Sequence, residues 1–177
     1  MPTMPSRRPA APMRERFQDL QMPEALMVSV LRLWTEPLRD PERPHPHWQD
    51  GLMDAGLSND AAVAFDTLMR IAIAACTRPL DIHRPPCPAL GADEALLLDM
   101  LRLAQGGRHG EAGLLMSGWL PLAGVRMAMA PLCILATALS RAGLPLPEPA
   151  AGSMAGSPTK AMERPRATAD RGASLLH

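Results

Sequence analysis

The sequence is poor in aromatic residues and carries no excess of charge. Its 177 residues include no tyrosine, two phenylalanines and three tryptophans, although 47% of the residues are hydrophobic. A core is therefore available, but it has to be built from leucine, alanine and methionine. The 18 basic side chains balance the 18 acidic ones. A chain without net charge or a block of like charges lacks the electrostatic signature of proteins that bind nucleic acid or anionic membranes, so both partners are disfavoured.

Cysteine and lysine are also scarce. The three cysteines are too few, and odd in number, for a secreted scaffold held by disulfides. The N-terminal region lacks the uncharged apolar stretch of a secretion signal, so we expect a reducing, cytoplasmic compartment. Lys160 stands against 17 arginines. Together with the many Ala, Gly and Pro residues, this preference indicates a GC-rich genome and favours a bacterial source.

Long uncharged apolar runs are missing as well. Residues 112–140 carry a single charge, Arg126, and the run on either side of it is shorter than the roughly 20 residues that cross a bilayer. Prolines and glycines interrupt the stretch further. We therefore interpret it as a buried helical hairpin rather than a membrane segment.

Composition divides the chain into one domain and two arms. Residues 1–22 hold four prolines and little to bury, and residues 145–177 are dominated by Pro, Gly, Ser, Ala and Thr. Neither segment can offset the entropy cost of ordering its backbone, so both are predicted to be disordered. The domain is expected to span residues 23–144.

The domain pattern predicts an all-α fold, a compact bundle of four to six helices. Apolar residues recur at spacings of three, four and seven, and no segment alternates as a strand does. Pro23 begins the first helix, which we expect to end at Pro37, and Ser58 caps the second. Asp93 and Glu94 begin a third, where carboxylates complement the helix dipole without a catalytic role.

Other expectations concern helix faces and connections. Arg32 and Glu36 fall on the face of the first helix that is expected to meet solvent. The proline-rich residues 37–51 are predicted to form an extended connection. Residues 122–141 are predicted to form one or two helices, broken or kinked at Pro131.

Cys76, His83 and Cys87 are the best candidates for metal ligands. Such ligands, close in sequence, can converge on zinc, with a fourth from Cys133, His45 or His47. The alternative is that Cys76 and Cys133 are small core residues and Cys87 a loop thiol, because paired CxxC knuckles are absent from the sequence. We favour the alternative and expect no metal. Cys76 and Ala72 should then be fully buried beside two leucines of the third helix, Leu97 and Leu101.

The same loop permits a catalytic interpretation, with Cys87 as nucleophile, His83 as its base and Asp81 orienting the imidazole. Side chains two and four residues apart on a proline-rich loop usually point in different directions, so we expect these three not to meet. The sequence also lacks a phosphate-binding glycine loop, a nucleophile elbow, a zinc-protease helix and a dinucleotide fingerprint. We therefore expect neither catalysis nor a cofactor.

Elimination leaves binding as the preferred function. We expect an adaptor or regulator that contacts another protein or a second copy of itself, because the last helical third is more apolar than a core needs. Trp48, Met127 and Met129 are the candidate partner surface, although Trp48 can instead anchor its connection to the bundle. The alternative function is a metal-binding or thiol-dependent protein centred on His83 and Cys87.

Overall fold

A computed structural model describes residues 16–147, and these residues adopt an all-α fold. A short 3-10 helix at Phe17–Asp19 precedes six α-helices. They are α1 (Met22–Arg39), α2 (Trp48–Asp54), α3 (Asn59–Ala75), α4 (Ala92–Gln105), α5 (His109–Met116) and α6 (Leu122–Arg141). The predicted bundle of four to six helices is confirmed. The arms were expected at residues 1–22 and 145–177, and of these residues 1–15 and 148–177 lie outside the described part of the chain.

The described fold extends slightly beyond the expected domain bounds of 23 and 144. Phe17 and Leu20 pack against the core, and the Phe17 N–H donates to the Pro88 carbonyl at 2.9 Å. At the other end Leu146 is buried, and its N–H donates to the Gln105 side-chain oxygen at 2.9 Å. Residues 16–22 and 145–147 therefore belong to the packed structure rather than to the arms.

The core is formed mainly where α3 and α4 pack against α6, with α5 beside α4 and α1 joining the bundle through α4. As composition requires, it is lined by aliphatic side chains with few rings. Its largest fully buried apolar members are Trp119, Phe65, Met27, Leu31, Leu52, Leu68, Met69, Leu97, Met100, Leu101 and Met116. A single contiguous core fits one domain.

Local chemistry explains most helix ends. α3 begins at Asn59, directly after Ser58 as expected, although the Ser58 side chain makes no capping hydrogen bond. Gly107 adopts φ +73° just after α4, a left-handed conformation that glycine accepts without strain. The Arg108 N–H then donates back to the Leu103 carbonyl at 2.8 Å, which closes the last turn of the helix.

Two expectations about helix bounds are wrong, the end of α1 at Pro37 and the extended connection at residues 37–51. α1 continues through Pro37 to Arg39, since a proline in a last turn removes only one backbone bond. Residues 37–51 are not extended throughout, because α2 begins at Trp48, whose ring lies 5.4 Å from that of Phe65. Of the one or two helices expected at residues 122–141, the structure shows one, α6, which continues through Pro131. Around that proline the helix buries Ala128, Leu132 and Leu135 completely, which offsets the loss of a hydrogen bond.

The expectation that Cys76 is fully buried is also wrong. Ala72 has 0% exposure, as expected, but Cys76 is only half-buried because α3 ends at Ala75 and the chain turns away. Ile73, in the same apolar run, is 47% exposed. The last turn of α3 therefore reaches the surface instead of occupying the centre of the bundle.

Candidate functional site

A buried ion pair anchors the connection between α3 and α4, residues 76–91, which we call the α3–α4 loop. Arg32 of α1 and Glu94 of α4 are both completely buried. Their contact is bidentate, because Arg32 Nε and Nη2 donate to the two Glu94 carboxylate oxygens at 2.8 Å each. Arg32 was expected to face solvent, as was Glu36, which is also buried. Both expectations are wrong because the loop covers this face of α1.

The remaining donors of Arg32 bind the backbone of the loop. Nη1 donates to the Cys87 carbonyl and Nη2 to the Ala89 carbonyl, each at 2.7 Å. The guanidinium carbon also lies 4.8 Å from the ring centroid of Phe17, a cation–π contact. One side chain therefore fixes the loop, the 3-10 helix and α4 to α1.

Glu94 completes the arrangement from the other side. Its carboxylate accepts hydrogen bonds from the His83 N–H at 2.9 Å and the Gly91 N–H at 2.8 Å. Burial alone would raise the pKa of Glu94, but these donors and Arg32 outweigh it, so the pKa lies below its ordinary value. The residue is therefore a carboxylate at neutral pH, and it holds both ends of the loop segment 83–91.

Asp93, next to Glu94, also binds the α3–α4 loop. It is buried and accepts a bidentate pair from Arg78 at 2.6 and 2.7 Å, together with the Trp119 indole N–H at 2.8 Å. The Asp81 N–H is a further donor at 2.6 Å. Burial would raise the pKa of Asp93, but the donors, Arg78 foremost, bring it below its ordinary value. The two acids thus bind the loop as well as complementing the helix dipole.

The loop brings Asp81, His83 and Cys87 together, contrary to expectation. Cys87 Sγ lies 3.4 Å from His83 Nδ1, and Asp81 Oδ1 lies 3.4 Å from His83 Nε2. The second oxygen of Asp81 accepts the Ala92 N–H at 2.8 Å, which orients the carboxylate. Side chains close in sequence converge because the buried carboxylates and Arg32 fold the loop back on itself. We call these three residues the thiol array.

The side chains of the thiol array do not surround a single point. Cys87 and Asp81 contact opposite nitrogens of the imidazole, so the three side chains lie in a row rather than around one point. Within residues 16–147 there is no group of three His, Cys, Asp or Glu side chains that could hold a metal ion. Cys76 does not complete such a group with His83 and Cys87. Of the other candidate ligands, His45 contacts the Asp40 carbonyl at 2.8 Å.

Cys133 forms a second thiol–imidazole contact elsewhere in the fold. Its Sγ lies 3.5 Å from Nδ1 of His109, at the start of α5. Burial raises the pKa of the Cys133 thiol, which disfavours the thiolate. This pair provides an internal comparison for the thiol array.

The residues expected to form a partner surface are dispersed. Met127 is 64% exposed on α6, whereas Met129, two residues further on, is half-buried and packs toward Gly113 of α5. Trp48 is half-buried against Phe65. Of the three residues, Met127 therefore offers the most accessible apolar surface.

Met127 belongs to a longer exposed stripe. Exposed side chains recur at spacings of three and four along α6, and we call them the α6 face: Ala123, Met127, Ala130, Ile134 and Thr137. Of the helices in the described part of the chain, α6 alone is long and apolar enough to cross a membrane, with a mean hydropathy of 1.8 over its most apolar window, of which 39% is buried. Its other side packs on α3 and α4 as a core helix does.

A groove continues from the C-terminal end of the α6 face. It has a volume of about 530 Å³ and lies between the last turns of α6, the start of α3 and the turn that precedes α3. Ile134 and Ala138 form one wall, and Leu57 and Ala61 form the other. Asp60 and Arg141 provide one charge of each sign in its lining.

Comparison with known proteins identifies no relative. The chain matches no protein-family model, no curated protein and no solved structure. Its function therefore has to be argued from the geometry above.

Sequence reasoning missed Arg32 as the residue that organises the site. A single arginine on the polar side of an amphipathic helix carries no signal that distinguishes it from solvated neighbours. Glu94 had a partial signal. A glutamate at the third position of a helix commonly accepts a hydrogen bond from the backbone N–H of the residue just before that helix. Gly91 and Glu94 have this spacing and this contact, at 2.8 Å.

Proposed function

We propose that this protein acts by binding another protein, as an adaptor or regulator in a bacterial cytoplasm, through the α6 face and its groove. The observation that supports this proposal is the exposure of apolar side chains on α6. Met127 and Ile134 of the α6 face are 64% and 51% exposed. Scattered exposed apolar residues are normal on a protein surface, but a stripe along one helix is typical of a binding site.

The shape of this surface suits an amphipathic helix of the partner. Such a helix places apolar side chains every three or four residues, which is the spacing of the α6 face. The groove can receive one or two of these side chains beside Ile134. Asp60 and Arg141 can then pair with polar groups that flank them, which would fix the direction of the bound helix.

The proposal is tested by placing charge on the surface. The double variant Met127→Asp/Ile134→Asp leaves the buried side of α6 intact, so it should fold with unchanged helicity. Leu38→Asp is the matched control, because Leu38 is 60% exposed on α1, away from the α6 face. A protein captured from lysate by the wild type and by Leu38→Asp should be lost with the double variant. Once purified, that partner should bind the double variant at least about tenfold more weakly, since two hot-spot side chains commonly contribute this much.

Three results would contradict the proposal. If purified candidate partners bind all three proteins equally, the α6 face is not the binding site. If sedimentation velocity shows that the wild type forms a dimer which the double variant cannot form, the occupant is a second copy of the chain. Transfer of the wild type, but not the double variant, into a detergent phase would instead indicate a membrane surface.

A further inference from the structure

The hydrogen-bond geometry of His83 determines which protonation state suits the thiol array. His83 Nδ1 lies 3.0 Å from the Ala89 carbonyl oxygen and 3.4 Å from Cys87 Sγ, and Nε2 lies 3.4 Å from Asp81 Oδ1. Each ring nitrogen thus faces an oxygen that can only accept a hydrogen bond. A neutral imidazole has one N–H and can satisfy one acceptor, whereas the doubly protonated ring satisfies both. The proton that completes the ring is available from the adjacent thiol.

The loop is held in position by contacts outside the thiol array. Arg32 binds the carbonyls of Cys87 and Ala89, and Glu94 binds the His83 N–H. Asp81 is held at its N–H by Asp93 and at Oδ2 by the Ala92 N–H. The thiol and the imidazole therefore meet without a conformational change, which is how reactive groups are preorganised.

The reactive atoms remain within reach of solvent. Cys87 is half-buried, and the side chains of His83 and Asp81 are 21% and 40% exposed. A small molecule can therefore approach the sulfur from solvent.

We propose that Cys87 is a reactive thiol that forms a mixed disulfide with low-molecular-weight disulfides, and that His83 holds its proton. His83 takes up the Cys87 proton across the 3.4 Å between Nδ1 and Sγ, and Cys87 becomes a thiolate. The thiolate attacks one sulfur of the small disulfide, so a new S–S bond forms and the original S–S bond breaks. The leaving thiolate takes the proton from His83 and departs as a thiol. Cys87 is oxidised, half of the small disulfide is reduced, and no other reactant is needed.

The gain in reactivity has an upper limit set by ionisation. An ordinary thiol is only about 3% ionised at pH 7, so complete ionisation raises the reactive fraction about thirtyfold. A thiolate that forms more easily is also a weaker nucleophile, so the net gain in rate is smaller, about three- to thirtyfold.

Charged groups on every neighbouring element belong to the electrostatic environment of the thiol array. In α1 they are Arg32, Glu36 and Arg39; in α4, Asp93 and Glu94; in the loop, Arg78, Asp81 and Arg84; before α1, Arg16. Most of these groups are paired with one another, as Arg84 is with Glu36 and Arg32 with Glu94. Asp81, in contact with the imidazole, is the carboxylate that stabilises its charge directly.

The test measures the rate of disulfide exchange at each cysteine of the full chain. The native protein is treated with an aromatic disulfide, 5,5′-dithiobis(2-nitrobenzoate), the released thiol is followed by absorbance, and the modified peptides are identified by mass spectrometry. We expect Cys87 to react before Cys76 and Cys133. Oxidised glutathione should give the corresponding adduct at Cys87. His83→Gln should slow Cys87 about three- to thirtyfold at pH 7, because glutamine cannot hold the proton.

The pH dependence separates proton transfer from a change of accessibility. If His83 acts by ionising the thiol, the difference between wild type and His83→Gln disappears near pH 10, where every accessible thiol is ionised. The matched control is His109→Gln beside Cys133, which should leave the rate at Cys87 unchanged. Asp81→Asn should show a smaller loss with the same pH dependence.

Two outcomes would overturn the inference. The first is a Cys87 that reacts no faster than Cys133 in the wild type at pH 7. The second is a rate ratio between wild type and His83→Gln that stays constant from pH 6 to pH 10, which would mean that His83 affects only access to the sulfur. Because the α6 face is not involved, either outcome leaves the proposed binding function unaffected.

Discussion

Removing the guanidinium of Arg32 should destabilise the protein severely. Arg32→Met keeps much of the side-chain volume, but it leaves the Glu94 carboxylate buried without its cation. It also leaves the Cys87 and Ala89 carbonyls without the donors that now lie 2.7 Å away. Breaking a buried ion pair at one partner costs about 3 to 5 kcal/mol. A domain of this size has about 5 to 15 kcal/mol of stability in total.

The matched control is the exposed ion pair on α3. Arg70 donates to Asp66 at 2.6 Å, close to the distance in the buried pair, but its side chain is 73% exposed. Arg70→Met should therefore cost much less stability than Arg32→Met, because solvent screens an exposed ion pair. Urea unfolding at pH 7, followed by circular dichroism, measures both losses. Arg32→Lys should lie between the two, since it keeps the charge but loses the two-pronged contact.

Equal losses of stability in Arg32→Met and Arg70→Met would mean that the buried ion pair contributes no more than the exposed one. If Arg32→Met does not fold, Arg32→Lys and Arg70→Lys give the same comparison with milder changes. A second check is the double variant Arg32→Met/Glu94→Gln, which removes both charges. Its loss should be smaller than the sum of the single losses by at least about 1 kcal/mol, as expected for residues in direct contact.

Three further predictions concern the same fold. The pKa values of the buried carboxylates Asp93 and Glu94 are lower in the folded state than in the unfolded chain. Both groups therefore stabilise the fold fully above about pH 4, and this contribution is lost as the pH falls through their folded pKa values. An acid titration should therefore show loss of structure below about pH 4, and a transition between pH 5 and 7 would contradict this. Gly91→Ala should cost about 1 to 3 kcal/mol of stability, because a Cβ at this position would overlap the backbone carbonyl of Asp81. Gly110→Ala has open space around the new Cβ, so it should be neutral or slightly stabilising. Equal urea midpoints for the two glycine variants would refute the steric argument. Ala72→Asp should prevent folding, because position 72 has 0% exposure and the carboxylate would be unpaired, while Ala74→Asp at an exposed position should fold normally by circular dichroism.

The helices could be predicted from the sequence because their signals are local. The apolar spacing, Ser58 before α3 and the glycines after α4 each act within a few residues of the helix that they define. Local signals could not predict that packing would keep a helix continuous through a proline. Pro37 predicts a helix end and Pro131 a break or a kink, yet each lies inside a helix. The free energy of burying the neighbouring turns is not visible in the sequence around the proline itself.

The candidate site was only partly predictable for a related reason. The side chains of the thiol array are close in sequence, and their chemical roles could be assigned from residue type alone. Whether they converge depends on Arg32, which is 62 residues from Glu94 and 55 from Cys87. No spacing rule connects residues at such separations, so convergence could not be inferred from the loop alone.

The buried ion pair explains why the loop geometry depends on residues outside it. A loop with several prolines has few N–H groups of its own with which to form internal hydrogen bonds. Its carbonyls therefore need donors from elsewhere, and the Arg32 guanidinium supplies them to Cys87 and Ala89 at 2.7 Å. Burying that cation would be prohibitive without Glu94, and the same carboxylate also accepts the His83 N–H. The position of the imidazole beside the thiol thus follows from the way in which a buried arginine is neutralised.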